Sequence, residues 1–130
     1  MKHEELTKKI IGVFYEVYNE LGHGFLESVH EKALAIAFAE KGIAFEQQVE
    51  IPVWFHGKLA GIFYADIVVE GMVILELKAV RSLDPAHDAQ LLNYLRATEI
   101  EIGLLLNFGV RPEVKRRIFD NPRKTSRSNP

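Results

Sequence analysis

Asp66, Glu76 and Lys78 are ionisable side chains set into otherwise apolar, strand-like sequence, Ile62-Phe63-Tyr64-Ala65-Asp66-Ile67-Val68-Val69 and Val73-Ile74-Leu75-Glu76-Leu77-Lys78-Ala79-Val80. Side chains alternate across a strand, so Glu76 and Lys78 share one face while Leu75, Leu77 and Ala79 line the other. Taking an ion out of water costs several kcal/mol unless a partner or a metal offsets it. Two carboxylates and an ammonium in such surroundings point to a divalent-cation site. Mg²⁺ prefers near-octahedral oxygen ligands, commonly one or two carboxylates completed by water and substrate phosphate, and Asp66 and Glu76 supply that many. The carbonyl of Leu77, next along the strand, is a further candidate ligand. A metal so held lowers the pKa of a bound water and steadies charge on a phosphodiester, with Lys78 placed to position the nucleophile or stabilise the transition state.

The proposal carries a geometric condition. Opposed residues of a hairpin lie on one face, so a two-residue turn at Glu70-Gly71 would pair Asp66 with Leu75 and aim it away from Glu76. An odd loop such as Glu70-Gly71-Met72, or a bulge at the glycine, sets Asp66 opposite Glu76, and that register is the expectation. Glu-x-Lys on a strand is more often part of a solvated face. Here Met72, Ile74 and Val80 on the same face are apolar, which weakens that reading.

Other residues fall within reach. Glu27 opens a helix, where the dipole favours its ionised form, and it is placed to approach a metal from above the sheet. Gln90 and Tyr94 stand four apart on one side of a later helix, with His87 three residues earlier in the same stripe. These three either contact a substrate phosphate or base, or form a half-exposed amphipathic surface.

The elements that position these groups follow from periodicity. Leu6, Ile10, Val13, Phe14, Val17 and Leu21 predict a helix over 4–21, ended by Gly22-His23-Gly24; a second runs from about 26 to 41 and stops at Gly42. Segments 45–49, 51–55, 60–69 and 72–80 read as antiparallel strands, with a turn at His56-Gly57. Asp84-Pro85 starts a helix to about Thr98, Ile100 to Phe108 is a buried strand, and Pro112 begins a short last helix through about Phe119. The order ααββββαβα predicts an α/β (α+β) domain, a sheet with helices on its faces, over residues 1–119, followed by a mobile basic tail over 120–130.

At 130 residues the chain is long enough for one core. The absence of cysteine excludes disulfides and thiolate zinc sites. Sixteen Lys plus Arg against eighteen Asp plus Glu give a net charge of -2, so no overall attraction for polyanions is expected, although a bound cation reverses the local sign. No apolar run approaches the ~20 residues that cross a bilayer. The start Met1-Lys2-His3-Glu4-Glu5 lacks a signal-peptide apolar region, so a cytoplasmic protein without membrane association is expected.

Several ordered segments together carry a resemblance: Gly24-Phe25-Leu26-Glu27-Ser28-Val29-His30, Tyr64-Ala65-Asp66-Ile67-Val68-Val69-Glu70, Val73 to Val80, Gln90-Leu91-Leu92-Asn93-Tyr94-Leu95-Arg96 and Gly103-Leu104-Leu105-Leu106-Asn107-Phe108-Gly109. Over about residues 5–119 the chain resembles the GxxExxY proteins of the PD-(D/E)XK nuclease superfamily. The resemblance implies a restriction-endonuclease-like core, a mixed central sheet flanked by helices, and Mg²⁺- or Mn²⁺-dependent cleavage of nucleic acid, DNA in preference. It further implies Asp66 and Glu76 as metal ligands, Lys78 as the catalytic lysine, Glu27 as the acidic residue from the early helix, and Gln90 and Tyr94 as a supporting pair that engages substrate. His30 stands where the family has tyrosine, and Ala65 where the superfamily name has proline. Neither change removes an expected ligand.

Two readings follow. One is a small metal-dependent nuclease; the other is a non-catalytic module of the same fold that binds nucleic acid or a protein. A homodimer or a protein partner that completes or targets the site fits a domain of this size.

Overall fold

Residues that repeat at helical spacing and residues that alternate sort into three helices and one sheet in the computed structural model, which describes residues 3–124. Helix α1 (Glu4–Leu21) buries Thr7, Ile10, Val13, Phe14 and Val17 on one stripe. Helix α2 (Glu27–Glu40) buries His30, Leu34, Ala35, Ala37 and Phe38. Strands β1 (Phe45–Phe55), β2 (Lys58–Val69) and β3 (Val73–Lys78) follow, then helix α3 (Pro85–Arg96) and strands β4 (Ile102–Phe108) and β5 (Pro112–Ile118). The five strands lie in sequence order; β3 and β4 are parallel, and the other pairs are antiparallel. A parallel pair needs a crossover, and α3 is that crossover.

Each face of the sheet has its own core. Ile10, Phe14, Leu34 and Phe38 pack on Ile67, Leu75, Leu104 and Leu106 beneath α1 and α2. On the other face Leu91, Tyr94 and Leu95 of α3 pack on Ile51, Ala65, Val68, Ile74 and Leu105. Full burial of each large apolar side chain contributes about 1.5–3 kcal/mol, and β4, buried at every position, lies between the two layers.

Beyond β3 the β1–β2 hairpin continues as a two-stranded arm. One face of the arm meets α3, with the Phe63 and Tyr94 ring centroids 5.9 Å apart, while Ile62 and Tyr64 on the other are exposed.

The structure corrects two expectations. Segments 45–49 and 51–55 are one continuous strand, because Gln48 changes the strand's facing without breaking its pairing with β2. The helix expected from Pro112 is strand β5, so the order is ααβββαββ, closed by a 3-10 turn at Asn121–Arg123. Without β5 the wholly buried β4 would be a bare sheet edge, and a ladder from Ile102↔Ile118 to Phe108↔Pro112 covers it. Proline is tolerated as the first residue of an edge strand.

The segment read as the start of a tail is docked: the Asn121 N–H donates to Glu101 Oε2, and Lys124 Nζ donates to the carbonyls of Thr98 and Ile100. Residues 125–130 lie outside the described residues. No helix among the described residues is long and apolar enough to cross a membrane.

Candidate active site

The hairpin register decides where Asp66 points. Strands β2 and β3 pair as Val69↔Val73, Val68↔Ile74 and Ile67↔Leu75, leaving Glu70-Gly71-Met72 as an odd loop. Glu70 (φ 55°) and Gly71 (φ 65°) occupy the left-handed region that such a tight loop requires. The same register sets Asp66 across from Glu76, as the sequence leads one to expect. There the ladder stops and side chains replace it: Glu76 Oε1 accepts the Asp66 N–H at 3.2 Å, and Asp66 Oδ2 accepts the Leu77 N–H at 2.8 Å. Both carboxylates therefore sit in the opening between the parting strands. On its other edge β3 stays paired with β4 as far as Lys78↔Asn107.

Glu76 is 3% exposed. Burial, and secondly the neighbouring Asp66 charge, push its pKa from 4.5 up to about 8; the Asp66 N–H and the Lys78 ammonium act in the opposite direction, and Glu27 adds a smaller upward push. Lys78 is half-buried at the end of β3. Glu27, in the first turn of α2, reaches past the sheet edge, and its Oε2 accepts the Ala79 N–H at 3.2 Å. Among the described residues no three His, Asp or Glu side chains close on a single point, so the geometry joins Asp66 with Glu76 and holds Glu27 one step along the strand.

Three sets of positioning residues were given no such role in the sequence reading. Gln48, across from Asp66 in the β1–β2 register, has φ 50°; its amide donates to Glu31 Oε1 at 2.9 Å and lies 3.4 Å from Asp66 Oδ1. Gln47 donates to Glu31 Oε2 at 2.9 Å, so Glu31, one turn after Glu27 on α2, joins the same polar chain. Asn107, fully buried, accepts the Val80 N–H and donates to the Val80 carbonyl and to Glu113, which fixes the backbone just beyond Lys78. His30 is also buried; its Nε2 lies 2.9 Å from the Gly22 carbonyl oxygen, and its ring stacks on Phe108 at 4.1 Å, tying the α1–α2 loop to the sheet. Glutamates four apart on one helix and two glutamines interrupting a strand are the signals that would have drawn attention to the first set.

Gln48→Gly tests that polar chain. Glycine relieves a left-handed backbone cost of about 1–2 kcal/mol while removing the amide contacts. Global stability by urea unfolding is therefore expected to stay within about 1 kcal/mol of wild type. At the cation site that the sequence predicts, divalent-ion affinity by calorimetry should fall by about 10-fold, as for other groups that orient a ligand.

The polar stripe of helix α3 is engaged largely within the helix itself. Asp84 caps it, accepting the Ala86 N–H at 2.8 Å, and His87 Nδ1 accepts the Asp84 N–H at 3.1 Å, so His87 completes a capping box. Gln90 donates to the Tyr94 hydroxyl at 2.9 Å. Burial raises the Tyr94 pKa above its ordinary value, the Glu76 charge adds to the rise, and the Gln90 hydrogen bond opposes it. Beside Ala79 and the Glu27 contact opens a cleft of about 870 Å³, lined in part by His23, Arg81, Phe108 and Arg111. Neither arginine forms a salt bridge among the described residues.

A mixed sheet with helices on both faces, parted at a carboxylate pair that a lysine follows two residues later, defines a restriction-endonuclease-like domain. The model of the PD-(D/E)XK nuclease superfamily matches residues 4–117, and the chain belongs to that superfamily. Among solved structures it is similar to the crystal structure of SSO0001, with a TM-score of 0.56 and 19% identity over 72% of this chain. The alignment spans 50% of that protein, so the likeness concerns the fold of about half of it. No curated protein matches the chain.

Proposed function

We propose that this protein is a metal-dependent nuclease that hydrolyses phosphodiester bonds of nucleic acid, DNA before RNA. The observation that carries the reading is the parting of β2 from β3, which sets the carboxylates of Asp66 and Glu76 in one opening with Lys78 on the same strand face. Glu76 Oε1 and Asp66 Oδ2 are engaged by backbone N–H groups, which leaves Glu76 Oε2 for a cation, and Asp66 Oδ1 beside it carries only the long 3.4 Å contact from the Gln48 amide. A residue's N–H and C=O point to the same side of a strand, so the Leu77 carbonyl shares the gap into which its N–H donates. Oxygen donors bearing two negative charges suit a hard divalent ion. Mg²⁺ or Mn²⁺ bound by Asp66, Glu76 and the Leu77 carbonyl, with Glu27 behind, would supply a water of lowered pKa and polarise the phosphate.

The chain's own groups do the rest. The Lys78 ammonium stabilises charge that develops on the phosphate or orients the attacking water. Gln90 and Tyr94 hold the substrate against the opening, and His23, Arg81 and Arg111 favour phosphates along the cleft. The alternative is a non-catalytic module, favoured by the fact that both carboxylates already serve as hydrogen-bond acceptors within the fold.

Wild-type protein and Lys78→Ala, titrated with Mg²⁺ and Mn²⁺ against labelled single- and double-stranded DNA and RNA, separate the two. The nuclease reading expects metal-dependent cleavage that falls on the order of 10²–10³-fold in the variant while calorimetric metal binding persists. Binding of nucleic acid with no turnover by wild type under any metal establishes the module instead.

A further inference from the structure

We propose that the cavity between α3 and the β1–β2 arm receives one unpaired nucleobase flanking the scissile phosphate, which makes single-stranded or frayed nucleic acid the substrate class. This rests on the nuclease reading above and deepens it. The cavity has a volume of about 420 Å³, within the range of small-ligand pockets. Its apolar wall includes Val53 and Phe63, and its polar edge is built from His87, Gln90, Asn93 and Tyr94.

Two kinds of chemistry meet there, and a nucleobase carries both. Phe63 is 48% exposed and meets Tyr94 at a tilt of 41°, so the Phe63 ring retains an open face for stacking. The amides of Gln90 and Asn93 can donate and accept towards a base edge. In a duplex, the faces and pairing edges of bases are covered by their neighbours; only an unstacked base presents both to a concave pocket.

Position supports the same occupant. Phe63 precedes Asp66 by three residues on β2, about 10 Å along the strand, which is the reach of a flanking nucleotide. Tyr94 packs on Ala65, the residue before Asp66, in the core beneath α3, and Gln90 donates to its hydroxyl. The cavity shares no lining residue with the arginine-lined cleft, and a nucleic-acid strand crossing Asp66 and Glu76 would connect the two.

The test uses single-stranded DNA carrying one abasic residue, moved position by position, and maps cleavage at each bond with Mg²⁺. With wild type, cuts at one fixed offset from the abasic residue should fall by about 10-fold, the worth of one stacked base. In Phe63→Ala that dip should vanish, because the ring it reports on is gone, and in Phe63→Trp it should return. Blunt duplex should be cut more slowly than its single strands by wild type. A pattern independent of abasic position, or a dip that persists in Phe63→Ala, overturns the base pocket while leaving the nuclease reading intact. If no nucleic acid is cut or bound, both fall together.

Discussion

On the nuclease reading proposed above, Glu76→Gln is expected to reduce metal-dependent cleavage on the order of 10³-fold or more, by removing a charged ligand, and yet to make the folded protein more stable at pH 8. The second effect follows from the carboxyl's surroundings. Burial, then the Asp66 charge, raise its folded-state pKa from 4.5 to about 8, so the fold holds the Glu76 proton more tightly than the unfolded chain does. The contribution of the protonated group is fully present below pH 4.5 and is lost as pH rises through the window to about 8. Glutamine does not ionise, and its Oε1 can still accept the Asp66 N–H. The variant should gain about 1–3 kcal/mol over wild type at pH 8 and little at pH 4. Thermal melts across that range check this, since the pH dependence of groups remote from Glu76 cancels in the difference. Adding Mg²⁺ should narrow the gap at pH 8 by stabilising only the wild type. A gap equal at both ends of the range would show that Glu76 is not held neutral by the fold. A buried carboxyl that costs stability is what a site retained for chemistry rather than for folding looks like.

The same contrast explains what the sequence disclosed. Glu76 and Lys78 were legible because charges in an apolar strand violate the local pattern, and the odd loop was legible because alternation admits one register that unites Asp66 with Glu76. Helix α1 and the capped start of α3 announce themselves by spacing and by Asp84-Pro85. Strand β5 does not: Glu113, Lys115, Arg116 and Arg117 leave Val114 as the one apolar residue inside it, and what holds the segment as a strand is its ladder to β4. Nor does Glu31, whose role depends on two glutamines 16 and 17 residues away. The change of facing at Gln48 and Asp66 is equally hidden, since Ala65 and Val68 share a core although plain alternation forbids it. Local pattern reports violations of a rule; it does not report partners supplied by another strand.

Gly109→Ala is expected to damage both the fold and the site, and its effect separates backbone from side-chain crowding. A Cβ built at Gly109 would lie 2.0 Å from the Val80 carbonyl oxygen and 3.1 Å from the Asn107 amide nitrogen. Neither can yield cheaply. That carbonyl is held by the Asn107 amide at 2.9 Å, while the Gly109 carbonyl accepts the Tyr18 hydroxyl at 2.8 Å from the opposite layer. Gly103→Ala meets a milder clash, 2.6 Å, and with Leu91 Cδ1, the far end of a side chain that can turn. Urea unfolding should therefore show a loss of about 3 kcal/mol or more for Gly109→Ala and a smaller one, about 1 kcal/mol, for Gly103→Ala. Since Val80 lies two residues beyond Lys78, the displacement should also reach the ammonium. Cleavage by the Gly109→Ala protein that remains folded at low temperature should fall by about 10²-fold, the cost of misplacing a reacting group by roughly 1 Å. Equal losses for the two glycines, or full activity in folded Gly109→Ala, would mean that the Asn107 clamp on Val80 does not set the position of Lys78.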